Sequence, residues 1–150
     1  MTIRRIGAGD IDLVLGMVEK LYVRETLAFD RERHRRAMED LLGHPEHGGI
    51  WLMEADGCPA GYLVITIGYS LEFGGRFALL DELFVEEGWR SRGLGTQALG
   101  FVEDWCVRQG LGALRLEVAH DNLRALALYQ RAGFEVYGRH FMGKRLSRKV

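Results

Sequence analysis

The sequence predicts an α+β fold, and three observations carry that prediction. Apolar residues recur at helical spacing in four separate stretches. Three strand-like runs follow one another in the middle of the chain, joined by turn signals. Helical and strand patterns therefore come in blocks rather than in a regular βαβ alternation. The expected order is β-α-α-β-β-β-α-β-α-β-β. A length of 150 residues suits one domain, residues 1–150, around one core. Hydrophobic residues at 47% and charged residues at 27% fit a chain able to build that core.

Ile3 and Ile6 flank a short first strand. Asp10 is placed to cap a helix whose apolar positions are Ile11, Val14, Leu15, Val18, Leu21 and Tyr22. A second helix is expected from Asp30, with Ala37, Met38, Leu41 and Leu42 facing inward, and "GHPEHGG" ends it. "IWLMEA" and "GYLVITIGYS" read as strands joined at Asp56-Gly57, a hairpin signal. "LEFGG" turns the chain again into "RFALLDELFV", which completes an antiparallel meander. A glycine-rich loop leads to a third helix with Leu94, Ala98, Leu99, Val102, Trp105 and Cys106 on one face. "ALRLEV" reads as a strand, Asn122 to Ala132 as a helix, and "GFEVYG" and "RHFMGKRL" as two closing strands.

Several classes of function fall away on bulk properties. A net charge of −1 at pH 7 asks for neither nucleic acid nor an anionic membrane. No apolar run is long enough to span a bilayer, and residues 1–9 lack the apolar stretch of a signal peptide. Cys58 and Cys106 make no disulfide framework, and Cys106 lies in an apolar helical pattern as a buried thiol. His34, His44, His47, His120 and His140 have no metal-ligand spacing, so no metal is expected. These features together predict a cytoplasmic protein.

The chemistry concentrates in "LFVEEGWRSRGLGTQAL", Leu83 to Leu99. The start of a helix leaves backbone N–H groups unpartnered and carries partial positive charge. Gly93 and Gly95 let a ligand approach that backbone, and Arg90 and Arg92 supply forked donors suited to phosphate oxygens. The pattern is that of an anion site, with pyrophosphate the natural ligand; the alternative is a glycine-rich turn with solvated arginines. It is not a Walker A loop, because Gly95-Thr96-Gln97 lacks the Lys-Ser/Thr ending. "GLGTQA" does fit a dinucleotide fingerprint. That reading requires the first glycine directly after the strand, whereas "EEGWRSR" intervenes, and it requires more βα units than follow Val118.

Two motifs together carry a family resemblance. Arg90-x-x-Gly93-x-Gly95 follows a strand ending at Val85 and opens a helix. Downstream, "DNLRALALYQRAGF" places Asn122 at a helix start, then Tyr129, then Gly133-Phe134. Both motifs, and the element order over essentially the whole chain, resemble the GCN5-related N-acetyltransferases, the GNAT superfamily. The resemblance implies a three-layer α/β/α architecture with a mixed, splayed, mostly antiparallel sheet. It implies acetyl-CoA as co-substrate, its thioester arm in the gap between the strand ending at Val85 and "ALRLEV". There it would borrow backbone bonds from Phe84 and Val85 as an added strand would. Its pyrophosphate would rest on the amides of Arg90, Ser91, Arg92, Gly93, Leu94, Gly95 and Thr96, and Asn122 would meet the pantetheine arm.

The implied reaction is transfer of an acetyl group to a primary amine of a small molecule or protein by direct attack. An alkylamine with a pKa near 10 must first lose a proton, and the departing thiolate must gain one. Tyr129 is the expected general acid; its alternative is core packing with Leu126 and Phe134. Asp81 or Glu82 is the expected base. As neighbours on a strand the two should face opposite sides unless a bulge intervenes, so one is expected in the cleft. Similar proteins favour the position of Asp81. A backbone N–H near Val85 would steady the oxyanion. Tyr22, Glu25, Tyr69 and Glu72 are weaker candidates for an amine acceptor site. The competing function is a non-catalytic CoA-binding sensor of the same fold. A homodimer is the expected assembly if the chain self-associates.

Overall fold

The computed structural model describes residues 1–147. Its frame is set by two tight turns. β2 (Gly48–Ala55) and β3 (Cys58–Ser70) close around Asp56 and Gly57, which take φ of 51° and 75°. Positive φ at both central residues is what a hairpin matched to strand twist requires. After a 3-10 turn at Leu71–Phe73, Gly74 at φ 74° starts β4 (Gly75–Val85) back antiparallel to β3. β1 (Thr2–Arg5) joins the free side of β2, and β5 (Leu114–Leu116) runs parallel to β4. The described sheet is therefore mixed, in the order β1-β2-β3-β4-β5.

Strand alternation divides the core in two. Ile50, Leu52, Tyr62 and Phe84 face α1 (Ile11–Arg24) and α2 (Arg31–Gly43), meeting Val14, Leu15, Val18, Leu21 and Met38. Trp51, Met53, Leu63, Ile65, Ala78 and Leu80 face the other way, onto Ala98, Leu99, Val102 and Cys106 of α3 (Leu94–Arg108). Leu128, Tyr129 and Phe134, from α4 (Leu123–Arg131) and just beyond it, extend that second layer. The predicted α+β class is thus realised as α/β/α. The Cys106 thiol is buried, and burial raises its pKa to about 11.

One residue re-aims the site. Leu63 pairs with Leu83 and Val64 with Glu82, but Ile65 pairs with Leu80. Asp81 is the extra residue of a β-bulge, and adjacent residues at a bulge no longer alternate. Leu80 faces α3, while Glu82 and Phe84 face α1, with Asp81 close enough to Glu82 to act on its charge. A second feature opens the sheet. β4 and β5 pair only over Ala78–Leu80 and Leu114–Leu116, and past those residues the two strands part.

The structure corrects several expectations. Asp10 sits at the start of α1 but does not cap it with its side chain; its carboxylate takes the Gly7 amide at 2.9 Å, which caps the preceding 3-10 turn at Ala8–Asp10, and two guanidinium nitrogens of Arg4. These contacts lower its pKa to about 2. Ala37 is exposed, because α2 presents only Met38 fully to the core. β5 is shorter than "ALRLEV" suggested, since pairing ends where the strands diverge. "GFEVYG" and "RHFMGKRL" form no strands among the described residues. Gly138 and Arg139 adjoin, which leaves no residue for the turn a hairpin needs.

Candidate active site

The bulge in β4 gathers the acid–base groups. Glu82 accepts a hydrogen bond from the Tyr22 hydroxyl on Oε2 and one from the Tyr62 hydroxyl on Oε1, each at 2.6 Å. Burial raises the Glu82 pKa, and the two hydroxyls oppose that shift. Both tyrosines are pushed above the ordinary phenol value, chiefly by burial, so they stay protonated as donors. Asp81 accepts no hydrogen bond from the described residues. Asp81 is solvent-exposed, yet the surrounding protein raises its pKa by desolvation. Aromatic groups wall this cluster: His34 stacks on Phe29 at 5.2 Å, and both meet Tyr22 edge-on at 5.1 and 6.2 Å.

The loop after β4 forms an open cradle. Gly93 precedes α3 with φ 79°, and no side chain caps the helix. Among the described residues the amides of Leu94, Gly95 and Thr96 have no acceptor; the first intrahelical bond is donated by Gln97 to Gly93. A Cβ on Gly93 would meet only the Gln97 amide nitrogen, 4.0 Å away, so its approach side is clear. Gly95 serves packing instead: a Cβ there would come within 3.2 Å of Leu128 on α4. Ser91, at φ 63°, takes a hydrogen bond from Arg124 on its hydroxyl. The Arg92 guanidinium lies 4.9 Å from the Trp89 ring centre. Arg90 donates from Nε to the Val85 carbonyl at 3.0 Å, on the side of β4 that faces the gap.

The expected residues separate into those at the gap and those away from it. Tyr129 packs against Phe134 with ring centres 5.9 Å apart. Burial raises its pKa, the charge of Glu25 raises it further and that of Arg24 opposes the shift. Asn122 caps α4 by accepting from the Ala125 amide at 3.2 Å. Tyr22 and Glu25 are therefore brought in. Tyr69 and Glu72 are not: Tyr69 pairs with Arg76, six residues before Glu82, roughly 20 Å along the strand. Glu72 instead holds Arg139 through two hydrogen bonds. Phe84 turns its carbonyl toward Gly61 of β3, where a Cβ would sit 2.1 Å from it. Sequence reasoning missed Tyr62; a tyrosine inside an apolar strand needs a hydroxyl partner once buried, and that was the available signal.

Two adjacent carboxylates near the end of β4 and an uncapped, glycine-opened helix start in the loop after it are suited to joining an anionic carrier to a basic acceptor. The acetyltransferase (GNAT) family model matches residues 15–134. An uncharacterised N-acetyltransferase of Methanocaldococcus jannaschii is 26% identical over 136 residues. That match covers 89% of this chain but 60% of the relative, so the chain spans less than two thirds of that protein. An integron cassette protein from the mobile metagenome of Cole Harbour Salt Marsh superposes with a TM-score of 0.86 and 33% identity, over 98% of this chain and 91% of its own. AAC(6')-Iy, solved with the bisubstrate analogue CoA-S-monomethyl-acetylneamine, shares the fold with a TM-score of 0.83 at 20% identity, over 97% of this chain and 98% of that one. From its motifs, its splayed sheet and a family match across most of its length, the chain belongs to the GNAT acetyltransferase family.

Proposed function

We propose that the chain is an acetyl-CoA-dependent N-acetyltransferase that acylates a primary amine by direct attack. The observation that carries this reading is the bulge at Asp81, which sets that carboxylate next to Glu82 and its two tyrosines at the point where β4 and β5 stop pairing. The residues fit the co-substrate. The amides of Leu94, Gly95 and Thr96, with Arg90 and Arg92, would hold its pyrophosphate. Val85, and Leu83 two residues earlier on the same side of β4, would offer backbone bonds in the gap, and Asn122 would border it. When bound, acetyl-CoA supplies the activated thioester.

The roles of the carboxylates follow from their partners. Both Glu82 oxygens are taken by tyrosine hydroxyls, so Glu82 serves as a fixed charge that holds the cationic amine. Asp81 has lone pairs to spare and a raised pKa, which suits a base that removes the ammonium proton, directly or through one water. The freed amine attacks the acetyl carbonyl carbon and the carbon–sulfur bond breaks. Tyr129, kept protonated by burial, gives its proton to the departing sulfur and regains one, through solvent, from the proton that the nitrogen sheds on becoming an amide.

The test is release of free CoA thiol across a panel of primary amines, run beside thermal shifts with acetyl-CoA, CoA and NAD. A ligand at 100 times its Kd adds about 2.7 kcal/mol, which raises the melting point by several degrees at this size. Thiol release with at least one amine is expected. CoA binding without release across the panel would favour the sensor, and a shift with NAD alone would remove the reading altogether.

A further inference from the structure

A second concavity lies on the α3 side of the sheet, at the other end of that helix from the cradle. α3 is 15 residues long, which puts roughly 22 Å of helix between the two places. The cavity holds about 390 Å³, a size suited to a small organic ligand. Strand alternation aims its lining at one face. Arg5 of β1, Trp51 of β2, Ile67 of β3 and Arg76 of β4 all lie on the α3 side, and the C-terminal end of α3 adds Trp105 and Gln109.

The cavity is built around a seated guanidinium. Arg5 donates from Nη2 to the Gly48 carbonyl at 3.1 Å, and its guanidinium carbon lies 4.9 Å from the Trp51 ring centre. Gly49 makes the room: a Cβ there would fall 2.6 Å from that Nη2 and 2.9 Å from the Trp51 ring. Trp105 meets Trp51 edge-on at 5.2 Å, which fixes the aromatic wall. The second guanidinium, Arg76, is exposed to solvent. Among the described residues neither Arg5 nor Arg76 has a carboxylate within ion-pair distance, whereas neighbouring Arg4 holds both Asp10 and Glu54. Two unneutralised like charges lining one cavity attract an anion, and guanidinium forks suit carboxylate or phosphate oxygens. The aromatic and aliphatic remainder of the lining favours a ligand with a flat apolar body over a bare inorganic ion.

We infer that this cavity binds a small aromatic anion, a flat ring bearing a carboxylate or a phosphate, at a site separate from acetyl transfer. Arg5 and Arg76 take the acidic group, and the ring lies against Trp51, Ile67 and Trp105. The experiment follows the indole N–H signals of the three tryptophans of the full-length chain by proton–nitrogen NMR. Trp51 and Trp105 report the cavity; Trp89, whose signal Trp89→Phe identifies, reports the cradle separately. Titration with phenyl phosphate and with benzoate is expected to shift the Trp51 and Trp105 signals saturably, and the tighter of the two names the acidic group. Inorganic phosphate and benzyl alcohol each carry half of the required chemistry and are expected to bind at least tenfold more weakly. Arg76→Gln is expected to weaken binding at least tenfold with unchanged far-ultraviolet circular dichroism, because the side chain it replaces is exposed. Trp51 and Trp105 signals that stay in place, movement of Trp89 alone, or an equal response to benzyl alcohol or in Arg76→Gln overturns the inference. None of these readouts uses an amine or a thioester, so the inference and the acetyl-transfer reading stand or fall separately.

Discussion

Asp81 and Glu82 differ in their partners, and that difference is testable. Asp81→Asn is expected to lower kcat by about 10²- to 10⁴-fold while CoA affinity stays near wild type, measured by steady-state kinetics and calorimetry. Burial raises the Asp81 carboxyl above its ordinary value of 3.8, so the fold resists its charged form. The stability it lends is complete below that value and is lost as pH climbs through the raised one. Activity runs the opposite way, because a base must be ionised. The acidic limb of kcat/KM should therefore lie above the ordinary aspartate range and vanish in Asp81→Asn; a limb kept in the variant assigns it to another group. Tyr129→Phe removes the acid without a change of shape and should cut kcat by about 10²-fold with CoA binding preserved. At this scale the sequence pointed to the residues proposed for the chemistry, since arginine, glycine and tyrosine occupied spaced motifs. It could not show that Asp81 and Glu82 share a face, because the extra residue exists only as a register shift against β3. Nor did it separate Tyr22, which reaches Glu82, from Tyr69, which lies at the far end of its hairpin.

Elements position these groups through close backbone contacts. Gly61 lies opposite the end of β4, where a Cβ would fall 2.1 Å from the Phe84 carbonyl and 2.5 Å from the Met53 methyl. Gly61→Ala should push β3 and β4 apart and destabilise the fold by about 1–3 kcal/mol or more, seen as a lower denaturant midpoint. Gly93 is a different case. A side chain there would strain the left-handed turn and project toward the cradle without striking the protein, so Gly93→Val should lose CoA affinity with a modest effect on melting. Loss of fold in place of affinity would recast Gly93 as structural. Helices α1 and α3 and strands β2 to β4 were legible because their apolar periodicity is long and bounded by turn residues. The end of the chain was not. "GFEVYG" and "RHFMGKRL" have strand composition, but composition does not say whether a neighbour is within reach.

For the whole molecule, the sheet is a wall between two cores, one under α1 and α2 and one under α3 and α4. The α/β/α layering came from a family resemblance, while residue patterns alone reached only the α+β class. The β4–β5 seam of that wall closes only over Ala78–Leu80 and Leu114–Leu116 and parts beyond them. Asp81→Ala should leave a cooperative melt. Deletion of Asp81 should keep it too, as followed by calorimetry. The reason lies in the pairing on either side of the bulge: Ile65 opposes Leu80 and its neighbour Val64 opposes Glu82. Removing the residue between them leaves an unbroken register in which Leu80 and Leu83 still face α3 while Glu82 and Phe84 still face α1. The two halves of the strand therefore find their sides of the interior without the insertion, and what the extra residue contributes is a carboxylate, not a scaffold.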